Sequence, residues 1–260
     1  MISISSAQID TWLGLFVFPL TRILALLATA PVFSNAALPM RTRLIAGLAV
    51  TLALAPVLPP PSIPAGSWLG LTVIAEQLLI GALMGFALRI TFVALDVAGE
   101  MIGLQMGLSF ATFFDPGSSG ETPVMASFLG LLTAMIFLAM NGHLLTLTLL
   151  AESFTLLPVS PTPFNAAALS TLLTASAMMF SLGVMLALPL ITALLVTNIA
   201  LGVLARVAPT LNLFAVGFPV TLALGFIVLL LSLPYIGAAM EGVFSSGFKT
   251  MEMVLRAAAG

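Results

Sequence analysis

From Ser153 to Ala205 the chain carries no Asp, Glu, Lys or Arg, and residues 44–75 and 207–240 are equally free of charge. Runs this long have no water-facing side, because a soluble helix or strand must alternate its apolar positions with polar ones. They are long enough to cross a hydrocarbon core, which takes about 20 apolar residues as helix. Only 16 of the 260 residues are charged, or 6%, about a quarter of the usual share. Segments of about ten residues with alternating polarity, the mark of a membrane barrel, are absent. The expected class is therefore all-α: a polytopic helical membrane protein, read as one membrane-embedded domain over residues 1–260.

Several function classes drop out at once. Seven scattered basic residues form no patch for nucleic acid. With no Cys and a single His, the chain offers no thiolate chemistry and no two-His metal site, so neither metal nor cofactor is expected. The first ten residues hold Asp10 and no Lys or Arg, unlike the basic start of a cleaved signal peptide, so the first apolar segment is expected to remain.

The first segment, about Thr11 to Phe33, carries Arg22 at its centre, where a cation costs roughly 2.5 to 3.5 kcal/mol. Such a residue faces protein or water; pairing with a carboxylate for packing is the expected solution, and a direct transport role is the alternative. Segment two, Leu44 to Leu58, is short for a span and runs into Pro59, Pro60 and Pro61. Segment three starts near Trp68 and holds Glu76, Arg89, Asp96 and Glu100. Three of these, Arg89, Asp96 and Glu100, share one helical side, beside a stripe formed by Gly81, Gly85, Gly99 and Gly103. Small residues let membrane helices approach closely and charges there need partners, so this helix belongs inside a bundle. Running to Gln105 it outgrows the bilayer, and it is expected to break or leave the membrane.

Segment four, about Val124 to Leu150, has Asn141, Gly142 and His143 near its middle. A fifth begins near Ala166 with a kink expected at Pro189, and a last one, Leu213 to Leu233, ends at Pro234. Asn198, Arg206 and Asn212 are the polar residues around the break between them, and 166–240 reads as a hairpin-like region. Lys249 and Arg256 favour a cytoplasmic C-terminus.

The stretch from Gln105 to Pro123 differs from all of this. It combines Phe110, Phe113 and Phe114 with an Asp115-Pro116 turn and a Gly- and Ser-rich tail. Non-helical backbone at membrane depth survives only when enclosed by protein or lining a watery cavity. A loop bearing large apolar side chains there, with Met106 beside it, can close a pore by excluding water. The alternative is an interfacial loop lying on the bilayer. A Ser119/His143 hydrolase reading fails on distance: a helix begun at Glu121 puts His143 about 33 Å along it. A proton relay through Asp96, Glu100 and His143 in a self-contained secondary transporter is the rival reading.

Five stretches together resemble the FliR family of flagellar export-gate proteins and its injectisome counterpart. They are Arg41-Thr42-Arg43-Leu44, Glu76 with the Gly81–Gly85 run, Gly99–Pro116, Asn141-Gly142-His143, and Asn198–Pro219. The resemblance implies a non-enzymatic subunit of the export gate, in the bacterial inner membrane at the flagellar basal body. It further implies assembly with FliP and FliQ into a channel for unfolded export substrates, contact with FlhB, and a plug loop spanning about Met106 to Thr122. Arg22, Glu76, Arg89, Asp96, Glu100, Gln105, Asn141, His143, Asn198, Arg206 and Asn212 are the expected buried polar or assembly residues. Met106, Phe110, Phe113, Phe114, Asp115 and Pro116 are the expected gating set.

Overall fold

The computed structural model describes residues 6–61, 63–108, 123–160, 164–208 and 213–260. Among these, seven helices follow one another: α1 (Ser6–Thr29), α2 (Met40–Leu54), α3 (Trp68–Gln105), α4 (Val124–Ala139), α5 (Gly142–Leu156), α6 (Ala167–Val207) and α7 (Leu213–Ala259). α1, α3, α6 and α7 are each long and apolar enough to span a bilayer, and α4 with α5 makes a fifth candidate bent at its break. The expected all-helical polytopic class holds.

Helix boundaries depart from the sequence expectation in instructive ways. α3 continues unbroken for 38 residues, about 57 Å at 1.5 Å per residue. Pro189, Pro219 and Pro234 all lie inside helices, so the last helix does not end at Pro234 as expected. In an apolar setting the helix is the one local way to satisfy the backbone, and neighbouring groups absorb the bond that proline forfeits. Segment four, by contrast, is two helices. Asn141 takes up a left-handed backbone, φ 57°, and the ladder restarts at Gly142. Asn tolerates that region better than other residues with a Cβ.

The chain divides into two compact units. The first comprises Met1–Ile90, Asn141–Ser176 and Ser246–Gly260; the second comprises Thr91–Met140 and Ala177–Ser245. In the first, α1 and the early part of α3 run parallel. A Cβ on Gly81 would collide with the Arg22 carbonyl and come within 2.8 Å of the Ala25 Cβ, and one on Gly85 would reach Thr29 and Ala30. α2 folds back along α1, with Gly47 against Leu24, and the connection after it brings Pro61 to Gly14.

In the second unit the later part of α3 packs antiparallel to α4. Gly99 admits the Ala126 backbone, where a Cβ added to the glycine would lie only 2.6 Å from the Ala126 Cα, and Gly103 meets Met125. α6 joins at Gly183, against Ala94 and Val97. Phe92, Phe137 and Phe244 meet in a mutual cluster with centroids 5.3 to 5.6 Å apart, Phe92 edge-on to the other two. The glycine stripe is therefore the packing edge of α3 in both units, and the charges beside it are not: Arg89, Asp96 and Glu100 are exposed on the chain.

Gly81→Ala is expected to lower stability by about 1 to 3 kcal/mol through overpacking. Gly237→Ala, whose added methyl would meet nothing within 4 Å, is expected to be neutral or stabilising by about 1 kcal/mol. Unfolding midpoints of the purified chain in detergent distinguish the two.

Candidate functional site

Among the described residues, Arg22 is the largest side chain buried without any solvent exposure. Its partner is not a carboxylate. The Nε–H donates to Gln77 Oε1 at 2.8 Å; Nη1 donates to the Ser153 carbonyl at 2.8 Å and to Ser153 Oγ at 2.9 Å; Nη2 donates to the Leu157 carbonyl at 2.7 Å. The Ser153 hydroxyl in turn donates to the Leu150 carbonyl at 2.7 Å, which turns its lone pairs toward the guanidinium. The guanidinium carbon sits 4.1 Å from the centroid of the Phe154 ring.

Each part of this cradle has a local cause. α5 stops at Leu156 just before Pro158, so the Leu157 carbonyl is left without a helical partner, while the Ser153 carbonyl accepts both the Leu157 N–H at 2.9 Å and Arg22. Those carbonyls are the negative end of the helix dipole, and a cation is favoured there. Gln77 comes from α3, held against α1 by the close approach at Gly81. The expected Arg–carboxylate pair is thus replaced by a helix end, an amide and an aromatic face. Dipoles of this kind can neutralise a buried cation without burying a second charge, whose desolvation penalty often exceeds its attraction.

Glu76, next to Gln77 on α3, is partly buried. It lines a cavity of about 180 Å³ together with Gln77, Leu157, Ser160, Phe164 and the last residues of α7. There the Asn165 N–H donates to the Ala258 carbonyl at 3.4 Å.

In the second unit, α3 ends in a defined cap. The Leu108 N–H donates to the Gly103 carbonyl (3.0 Å) and the Gly107 N–H to the Leu104 carbonyl (3.1 Å), with Gly107 at φ 83°. This is the paired-bond termination that favours glycine at its left-handed position. Met106 immediately precedes it and is fully buried. Its side chain lies over Gly225 of α7, where a Cβ would come within 2.7 Å of the Met106 Cγ and Cε.

The remaining expected residues are placed as follows. Gln105 is partly buried at the end of α3, and the Asp96 carboxylate lies against Gly130, where a Cβ would be 3.5 Å from its Oδ1. Asn141 is exposed at the helix break. His143 is partly buried, with an Nδ1 that is shielded from water and has no hydrogen-bond partner. Asn198 and Arg206 are exposed on α6. Phe110, Phe113, Phe114, Asp115, Pro116, Ser119 and Asn212 lie outside the described residues, as does most of the expected plug. No group of three or more potential metal-ligating side chains occurs among the described residues.

Sequence reasoning missed Gln77, Ser153, Phe154 and Leu157 as the Arg22 cradle, and Gly107 and Gly225 as the setting of Met106. A signal existed for two of them. Pro158 marks a helix end that leaves carbonyls open, and Gly107 directly follows the last residues of α3.

The fold and its buried polar centre define a multi-span helical membrane protein whose interior is built by close helix packing. The chain belongs to the bacterial export proteins, family 1, whose family model matches residues 13–247. It is 42% identical over 255 residues to the flagellar biosynthetic protein FliR of Escherichia coli (strain K12), covering 98% of both chains. It is also 44% identical over 255 residues to the protein of that name from Pectobacterium carotovorum subsp. carotovorum, again over 98% of both. The FliR of Bacillus subtilis (strain 168) is 29% identical over 246 residues, covering 92% of this chain and 94% of that one.

Arg22→Lys keeps the charge but not the fork of donors. Losing two of the charge-assisted bonds, each worth about 1.5 to 3 kcal/mol, is expected to lower stability by roughly 3 kcal/mol or more. The unfolding midpoint of the variant in detergent, set against wild type, checks this.

Proposed function

We propose that this chain is a structural and gating subunit of the flagellar type III protein export channel. The observation that carries the reading is the match to FliR sequences over nearly the whole of both chains. On this reading it assembles in the bacterial inner membrane, at the flagellar basal body, with FliP and FliQ. FlhB is a further contact, and unfolded export substrates are the cargo. The work is mechanical rather than catalytic.

Surface chemistry supports assembly. α6 and α7 leave much of their apolar length open: Leu173, Phe180, Val196, Leu230 and Leu231 are all more than half exposed. Arg89 and Glu100 on α3 and Arg206 on α6 are exposed on helices of membrane length. Charges are costly against lipid and acceptable against protein or water, so these positions are the contacts proposed to face partner subunits or the channel.

Gating is assigned to the loop of about Met106 to Thr122. Its first residue is anchored on Gly225, and Pro123, directly after its far end, caps the start of α4. On this reading Phe110, Phe113 and Phe114 exclude water from the channel until substrate displaces them.

Two measurements test the proposal. Replacing Phe110, Phe113 and Phe114 together with Ala is expected to leave assembly intact and raise ion leakage several-fold. Conductance equal to wild type in the assembled complex removes the gating role. Purification on a tag carried only by this chain, after co-expression with FliP and FliQ, is expected to recover all three. Recovery of this chain alone, with solute movement by it, is the outcome of a self-contained transporter.

A further inference from the structure

Two helix C-termini and one carboxylate meet at a cavity in the first unit. Glu76 reaches it from α3, Leu156 and Leu157 from the end of α5, and Ala258 and Ala259 from the last turn of α7. The end of a helix is the negative pole of its dipole and favours positive charge. A carboxylate added to two such poles makes a site for a cation. The cavity holds about 180 Å³, against the roughly 10 to 15 Å³ that one water requires. It therefore has room for a side chain.

The unit supplies no cation of its own there. Arg22 is close, but it directs its donors at Gln77, Ser153 and Leu157. No hydrogen bond or ion pair joins Glu76 to another described residue. Arg256 is paired with Glu252 at 2.8 Å. Arg43 is bonded to the Ser34 and Asn35 carbonyls, with Arg41 two residues before it in α2. Lys249 precedes Ala258 by nine residues, about 13 Å of helix, and Arg89 follows Glu76 by thirteen, about 20 Å. Glu76 nevertheless sits in a helix of membrane length, where an ionised group without a partner is costly. Adjacent positions on a helix point 100° apart. Gln77 thus serves the internal cation, and Glu76 is left for one from outside.

We propose that the Glu76 cavity receives the ammonium of a lysine side chain from a neighbouring subunit, an inference that rests on the assembly reading above. Two properties select lysine over arginine. Ile80, Leu156, Pro158 and Phe164 line the cavity and suit an unbranched apolar stem, which lysine buries while its charge stays at the tip. A guanidinium calls for a planar set of acceptors spread around it, as Arg22 has. Here one carboxylate dominates, which matches a compact point charge. The Arg22 charge opposes a second cation, but it is spread over its own acceptors, and the two helix ends act against its repulsion.

The test uses the complex recovered on a tag carried by this chain after co-expression with FliP and FliQ. It is treated with dicyclohexylcarbodiimide, an apolar reagent that condenses a carboxylate with an amine touching it. Peptide mass spectrometry is expected to find Glu76 joined to a lysine of another chain, a link absent from Glu76→Gln. That variant is expected to recover at least fivefold less of its partners. Its unfolding midpoint as the purified chain in detergent is expected to match wild type, since Glu76 bonds to no described residue of the chain. Four outcomes overturn the lysine pocket while leaving the export-gate reading in place: no link in the wild-type complex, a link to Lys249 of the same chain or to an amine lipid, undiminished recovery by Glu76→Gln, or a lowered midpoint of that variant. A wild-type chain that recovers neither FliP nor FliQ refutes the export-gate reading itself, and the pocket with it.

Discussion

A cation shut away from water must be given acceptors, and in this chain the cost of leaving Arg22 bare organises what surrounds it. Its acceptors come from three places far apart in sequence: Gln77 on α3 and the Ser153 and Leu157 carbonyls at the end of α5. Each has to arrive within hydrogen-bond distance, which α1, α3 and α5 can do only if nothing bulky separates them. Hence the glycines at the α1–α3 contact and the abrupt end of α5 before Pro158. Packing and polarity are one problem here. A larger residue at Gly81 would move the Arg22 backbone and so disturb the guanidinium it supports.

This arrangement also shows what the sequence could and could not reveal. Helix class followed from charge-free length, a property of composition that tertiary context does not alter. The packing role of Gly81, Gly85, Gly99 and Gly103 was legible because period 3.6 places them on one side of one helix. The identity of the Arg22 partners was not. Carboxylates attract attention as counterions, whereas a carbonyl freed at a helix end has no residue type of its own. Proline misleads as a helix end for a related reason: breaker statistics come largely from water, where a freed carbonyl finds solvent. Inside an apolar setting the helix persists through Pro189, Pro219 and Pro234 and yields instead at Asn141, where a left-handed backbone is tolerated.

The distribution of charge separates two kinds of polar residue. Arg22 is satisfied entirely from within the chain. Arg89, Glu100 and Arg206 are left open by it, and in a chain so poor in charge their exposure is itself informative. The first kind holds the fold. The second faces whatever surrounds the chain, and the family membership gives it a setting among bacterial export proteins.

The separation of Arg22 from its acceptors has a consequence in time. Gln77 follows it by 55 residues and Leu157 by 135. At roughly 5 to 20 residues per second during synthesis, α1 is made about 7 to 27 s before the last carbonyl that receives its guanidinium exists. For that interval the charge must be borne by water, headgroups or the insertion machinery. The surroundings of Arg22 are therefore complete only when the end of α5 has been translated, and the first helix waits on its most distant acceptor rather than settling as soon as it is made.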